Sequence, residues 1–118
     1  MLLETEFVGL SSYGENTLSL GKISITLDLN CDISGRDVII IEDIIDSGLT
    51  TAFLLDYLEE RQPASLKICA LADKPSRRKA RVVIDYLGFS VPDRFLVGYG
   101  MDCAEKYRNL PDICFIED

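Results

Sequence analysis

Apolar and polar residues alternate along KISITLDL, from Lys22 to Leu29, the period-2 pattern of a strand with one wet face. Farther on the alternation stops. Val38–Asp43 (VIIIED) is an unbroken β-branched run closed by two acids, which predicts a strand buried on both faces in a parallel sheet. The pattern then changes period. In LTTAFLLDYLEER the apolar residues Leu49, Phe53, Leu54, Tyr57 and Leu58 recur at helical spacing. This predicts a helix over Leu49–Arg61, with Asp46 or Ser47 as its cap and Pro63 as its stop. LKICALAD reads as the next strand, so strand, helix and strand form a right-handed parallel unit. Around this unit, Glu6–Leu10 reads as a strand, Ser11–Gly21 as a mobile loop rich in Ser, Gly and Asn, and DISGRD as a turn. ARVVIDYLGFSVPD carries a short strand and a turn, FLVGYG is a strand, YRNLP a turn or short helix, and ICFIED a final strand. The expected fold class is α/β, a mostly parallel sheet with flanking helices, and residues 1–118 are expected to form a single domain.

Composition narrows the chemistry. Twelve basic and 20 acidic residues give a net charge of −8, which argues against general nucleic-acid binding. A helix N-terminus can still hold a small phosphorylated ligand without net positive charge. No apolar run approaches the ~20 residues needed to cross a membrane. The start, MLLETEF, lacks the features of a secretory signal, so a cytoplasmic location and no membrane partner are expected. The four cysteines form no C-x-x-C pair and read as reduced, packed thiols. The absence of histidine removes Ser-His-Asp and Cys-His catalysis and argues against catalytic zinc. Neither a P-loop nor a dinucleotide-binding glycine pattern occurs.

The informative segment is VIIIEDIIDSGLT, at the carboxyl end of a strand, where open α/β sheets bind ligands. Amides of the loop, with the Ser47 and Thr50 hydroxyls, can surround a phosphate, and Gly48 lets the backbone come close. Glu42 and Asp43 can accept hydrogen bonds from a vicinal diol or face a magnesium ion. Asp46 can act as a general base or serve as the helix cap. The plainer alternative for the segment is a capped helix with solvated acids. Unpaired charges at a buried strand end are costly, however, unless a ligand, metal or cation satisfies them.

VIIIEDIIDSGLT resembles the phosphoribosyl-pyrophosphate motif of hypoxanthine(-guanine) phosphoribosyltransferases. The likeness extends through SSYGENTLSLG, RQPASLKICALADKPSRR, VVIDYLGFSVPDRFLVGYGMDCAEKYRNLP and ICFIED. It implies a type I phosphoribosyltransferase-like fold, magnesium as cofactor, and transfer of phosphoribose to hypoxanthine or guanine in purine salvage. The implied partners are phosphoribosyl pyrophosphate, a 6-oxopurine base, purine nucleotide and further copies in a homo-oligomer. By the same resemblance, Glu42 and Asp43 bind ribose hydroxyls near magnesium. Asp46, Ser47, Gly48, Leu49 and Thr50 hold the 5′-phosphate, and Asp46 is the proposed general base. Lys74 donates to the purine 6-oxo group, Phe95 stacks on the base and Leu96 reads its edge through the backbone. Asp102 holds a second magnesium, Arg108 approaches pyrophosphate, and Ser12 and Tyr13 form the tip of a closing loop. Lys74 also reads as a solvent-exposed lysine and Phe95 as plain core packing.

Family members carry a further strand, helix and Leu-Lys-Gly-type loop before the SSYG segment, where this sequence has Met1 about one strand upstream. An N-terminally shortened core with exposed apolar surface is therefore expected, along with half of the pyrophosphate site. Nucleotide binding should then outlast turnover. The competing readings are a non-catalytic purine-nucleotide-binding or regulatory module, and a domain serving only assembly. The intact Glu42, Asp43, Asp46, Lys74 and Asp102 speak against the last.

Overall fold

The computed structural model describes residues 2–13 and 22–117. Its centre is a three-stranded parallel sheet. The elements, in chain order, are β1 (Gly9–Tyr13), β2 (Lys22–Leu27), β3 (Asp37–Ile45), helix α1 (Leu49–Glu59) and β4 (Ser65–Asp73), then a 3-10 turn at Pro75–Arg77, β5 (Tyr86–Ser90), β6 (Leu96–Val97) and β7 (Cys114–Phe115). The central sheet runs β3-β4-β5, while β1-β2 and β6-β7 are separate antiparallel pairs. Strands β3 and β4 keep register from Asp37↔Ser65 to Ile45↔Asp73, so both end at the same rim.

One face of this sheet makes the core. Ile40, Ile68 and Ala70 pack with Leu54 and Leu58 of α1, with Ile45 at the strand end. Thr51, Leu54 and Leu58 form the buried stripe of the helix, at spacings of three and four residues. A second cluster at the rim joins Ala72, Val91, Leu96 and Met101.

The opposite face is open, which corrects the expectation that β3 is buried on both sides. Ile39 is 55% and Ile41 74% exposed, and Tyr86 of β5 is exposed too. A β-branched run therefore marks a parallel strand here without marking two covered faces. β-branched side chains suit extended backbone whether one or both faces are covered.

Other boundaries also move. β1 starts at Gly9 and continues through Ser12 and Tyr13, three residues beyond the expected Glu6–Leu10 strand. Pairing with β2 decides this, including a cross-strand hydrogen bond of 2.9 Å between the Ser11 and Ser24 hydroxyls. Ser12 and Tyr13 thus occupy strand backbone, while the rest of the expected loop, 14–21, lies outside the described residues. The helix ends at Glu59, ahead of Pro63, with Gln62 in the left-handed region. FLVGYG is strand only at Leu96–Val97. Gly98, Tyr99 and Gly100 all take positive φ and turn the chain instead. β2 is tied to the helix through Asp28, which accepts hydrogen bonds from the Tyr57 hydroxyl (2.6 Å) and Arg61 (2.9 Å). The Tyr57 bond, with help from Arg61, holds the Asp28 carboxyl below the usual range.

Candidate phosphate and base site

β3 delivers Glu42 and Asp43 to the rim, and the chain then bends through Asp46, Ser47 and Gly48 into α1. Gly48 sits at φ 82°, a left-handed conformation that side-chain-bearing residues rarely adopt. It occupies the N-cap position of α1 without a side-chain cap, so neither Asp46 nor Ser47 caps the helix in the expected manner. Ser47 Oγ accepts only from the Leu49 amide, at 3.3 Å. Among the described residues, the Thr50 and Thr51 amides have no partner, as the first turn of any helix dictates. These amides, with the helix dipole behind them, favour an anion.

Two cavities meet here. The first, of about 220 Å³, is lined by Glu42, Ile44, Asp46, Ser47, Gly48, Thr50 and Thr51. The second, of about 320 Å³, is lined by Asp43, Ile44, Asp46, Lys74, Phe95, Leu96, Gly100, Met101, Asp102 and Arg108. Ile44 and Asp46 are common to both. Strand alternation separates the paired acids, placing Glu42 in the first cavity and Asp43 in the second. Leu49, expected among the loop residues, is exposed and lines neither cavity.

Lys74 follows β4 directly and is only 7% exposed, which rules out a solvated surface lysine. Its ammonium lies 5.9 Å from the centre of the Phe95 ring. Phe95 is 54% exposed, so it is not core; the neighbouring Leu96 supplies the buried side chain. Asp102 and Arg108 pair with each other at 3.3 Å. The Asp102 carboxylate also accepts from the Glu105 amide at 2.8 Å, and Arg108 donates to the Gly100 carbonyl at 2.9 Å.

Burial, reinforced by the neighbouring Asp43 charge, raises the Glu42 carboxyl above the ordinary range. A raised carboxyl favours the folded state at low pH and loses that contribution as pH rises through the folded-state value. Glu42→Gln should therefore raise the melting temperature at pH 7 and flatten its rise on acidification. Thermal unfolding between pH 4 and 8 checks this; an unchanged profile would show that Glu42 is solvated.

Magnesium takes one or two carboxylates and completes its shell with water and phosphate oxygens. Asp43 and Asp102 line one cavity and fit that donor set, whereas Glu42 lines the other. No cluster of three metal-ligating side chains occurs among the described residues.

Sequence reasoning missed Thr51, which is buried and lines the first cavity, and Arg77. Arg77 donates to Asp46 at 2.6 Å and to Asp93 at 3.3 Å, joining the loop after β3 to the segment before Phe95. The paired arginines of KPSRR were the available signal.

A parallel strand–loop–helix unit with acids at the strand end, free amides at the helix start and a lysine on the adjacent strand end marks the carboxyl rim of an α/β sheet, where such folds bind ligands and free helix amides favour an anion. The chain belongs to the phosphoribosyl transferase domain family, which it matches over residues 3–104. It is similar to the hypoxanthine-guanine phosphoribosyltransferase of Bacillus subtilis, with 54% identity over 94% of this chain and 62% of that one. It is also similar to the hypoxanthine phosphoribosyltransferase of Escherichia coli, with 50% identity over 93% of this chain and 62% of that one. The solved hypoxanthine-guanine phosphoribosyltransferase structure of Bacillus anthracis superposes with a TM-score of 0.88 at 51% identity, covering 95% of this chain and 66% of that one. The fold is accordingly of the type I phosphoribosyltransferase kind. The chain spans less than two thirds of the length of these relatives.

Proposed function

We propose that this chain carries the nucleotide-handling core of a 6-oxopurine phosphoribosyltransferase of purine salvage. It would join hypoxanthine or guanine to the ribose of phosphoribosyl pyrophosphate, giving inosine or guanosine monophosphate and pyrophosphate. The observation that carries this reading is the pair of adjoining cavities with Asp46 between them. One offers amides and hydroxyls for a 5′-phosphate; the other offers a largely buried lysine beside an exposed aromatic ring for an oxopurine.

Each residue then has a chemical part. Ser47, Gly48, Thr50 and Thr51 hold the 5′-phosphate, and Glu42 and Asp43 accept from the ribose hydroxyls. Lys74 donates to the 6-oxo group; an ammonium only donates, so it pairs with a carbonyl and not with an amine. Phe95 stacks on the base. The bond from the anomeric carbon to pyrophosphate breaks as the purine nitrogen bonds to that carbon, and the purine proton passes to Asp46. One Asp46 oxygen is held by Arg77; the other would take the proton. Magnesium, held by Asp43 and Asp102, would neutralise developing charge on the leaving pyrophosphate. Arg108 would do so with a guanidinium fork, on release from its pairing with Asp102.

The test is a calorimetric titration with inosine monophosphate and magnesium on the unaltered chain and on Asp43→Asn. Binding should be saturable, and about tenfold weaker in the variant, the size of one lost charge-assisted contact. The absence of binding by the unaltered chain, or equal binding by both, would refute the reading.

A further inference from the structure

Behind the phosphate loop lies an arrangement the proposed reaction does not use. The connection between β4 and β5 turns back under the loop and hydrogen-bonds to it. The Lys79 and Ala80 amides both donate to the Ser47 carbonyl, at 2.8 and 3.1 Å, and the Lys74 amide donates to the Ile45 carbonyl at 2.9 Å. The side that faces away from the cavity is filled as well. A Cβ added at Gly48 would lie 2.9 Å from Arg78 Cδ and 2.9 Å from the Ala80 carbonyl oxygen. The Arg78 guanidinium continues past this contact to Asp73, at the end of β4. That pair is largely sheltered, with side chains 20% and 11% exposed. Among the described residues Arg78 Nε is buried without a hydrogen-bond partner, an unmet donor that costs free energy.

From this geometry we infer that Arg78 is a positioning residue for the phosphate loop. Anchored by Asp73 on the sheet, its aliphatic stem backs Gly48 and keeps the amides of the first helical turn converged before any ligand arrives. The inference rests on reading the Asp46–Thr51 loop as a 5′-phosphate site. A loop fixed in advance loses no backbone freedom on binding, whereas a loop ordered by its ligand spends binding energy on that ordering.

The test uses the full chain with magnesium and compares Arg78→Met, Arg78→Lys and Arg78→Gln with the unaltered sequence. Affinity for inosine monophosphate is read by calorimetry, and amide hydrogen exchange is followed at Gly48–Thr51 and along β4. Arg78→Met should bind about tenfold more weakly, equivalent to ordering roughly one backbone residue on binding. Exchange should quicken at Gly48–Thr51 and stay slow along β4. Arg78→Lys, which keeps a stem and a charge for Asp73, should restore both readings to near the unaltered values. Arg78→Gln keeps a neutral donor and gives the same two readings if the Met variant does not fold. Unaltered affinity in both Met and Gln variants would overturn the inference alone. So would a loss accompanied by fast exchange throughout β4, since that marks a merely structural role. No binding by the unaltered chain would overturn the reading of the loop, and the inference with it.

Discussion

Lys74→Met should bind inosine monophosphate about ten- to a hundredfold more weakly than the unaltered chain, yet unfold at nearly the same temperature. The affinity loss follows from removing the proposed charged donor to the 6-oxo group, worth about 1.5–3 kcal/mol. The unchanged stability has a separate cause. The Lys74 side chain is largely buried but lines the open second cavity, and among the described residues no carboxylate forms an ion pair with it; Phe95 is its only cation–π partner. A methionine of similar length fills the space of the stem, and the ammonium it removes holds no ion-pair partner in the fold. Lost binding at unchanged stability is the mark of a group kept for its ligand. Calorimetry and thermal unfolding on the same sample read both, with adenosine monophosphate as a control, since its exocyclic amine offers the ammonium no acceptor. Equal losses for the two nucleotides would remove Lys74 from base recognition, and a lowered melting temperature would assign it a packing role.

Gly48→Val should do more general damage. A β-branched residue at φ 82° carries left-handed strain of about 1–2 kcal/mol. Its Cβ would also press on the Ala80 carbonyl, on Arg78 Cδ and on Val82, whose Cγ2 lies 3.1 Å away. Overpacking of that kind adds about 1–3 kcal/mol. The combined loss, about 2–5 kcal/mol, should appear as a lower denaturation midpoint, and nucleotide binding should vanish because the first helical turn is displaced. Unchanged stability with retained binding would mean that the loop accommodates a side chain there, and that its glycine is dispensable.

The elements that the sequence revealed are those whose signal is local. Helix α1 announced itself by its 3.6-residue period, and β3 and β4 by their β-branched and apolar runs. The acids at the β3 terminus and Gly48 were recognisable because strand end, turn and helix start are consecutive in the chain. What escaped is set by partners far away in sequence. The extent of β1 depends on pairing with β2, and one face of β3 is open because no described element packs on it. Gly98, Tyr99 and Gly100 turn where an apolar string suggested a strand, through backbone bonds to Leu110 and Arg108. Arg77 and Arg78, adjacent in a basic run, serve different carboxylates, Asp46 with Asp93 and Asp73 respectively. Neighbouring residues of one type offer no hint of such a division. Likewise the pairing of Asp102 with Arg108 could not be told from a spacing of six residues within a loop.

The wall formed by Ile44 and Asp46 has a further consequence. A molecule long enough to dip into the basins on either side of it is held as a chelate: once one end has docked, the other searches only a few ångströms. Fragments that occupy a single basin, such as a free purine or a lone sugar phosphate, forgo that advantage. Mixed together, they cannot regain it without being joined across the ridge.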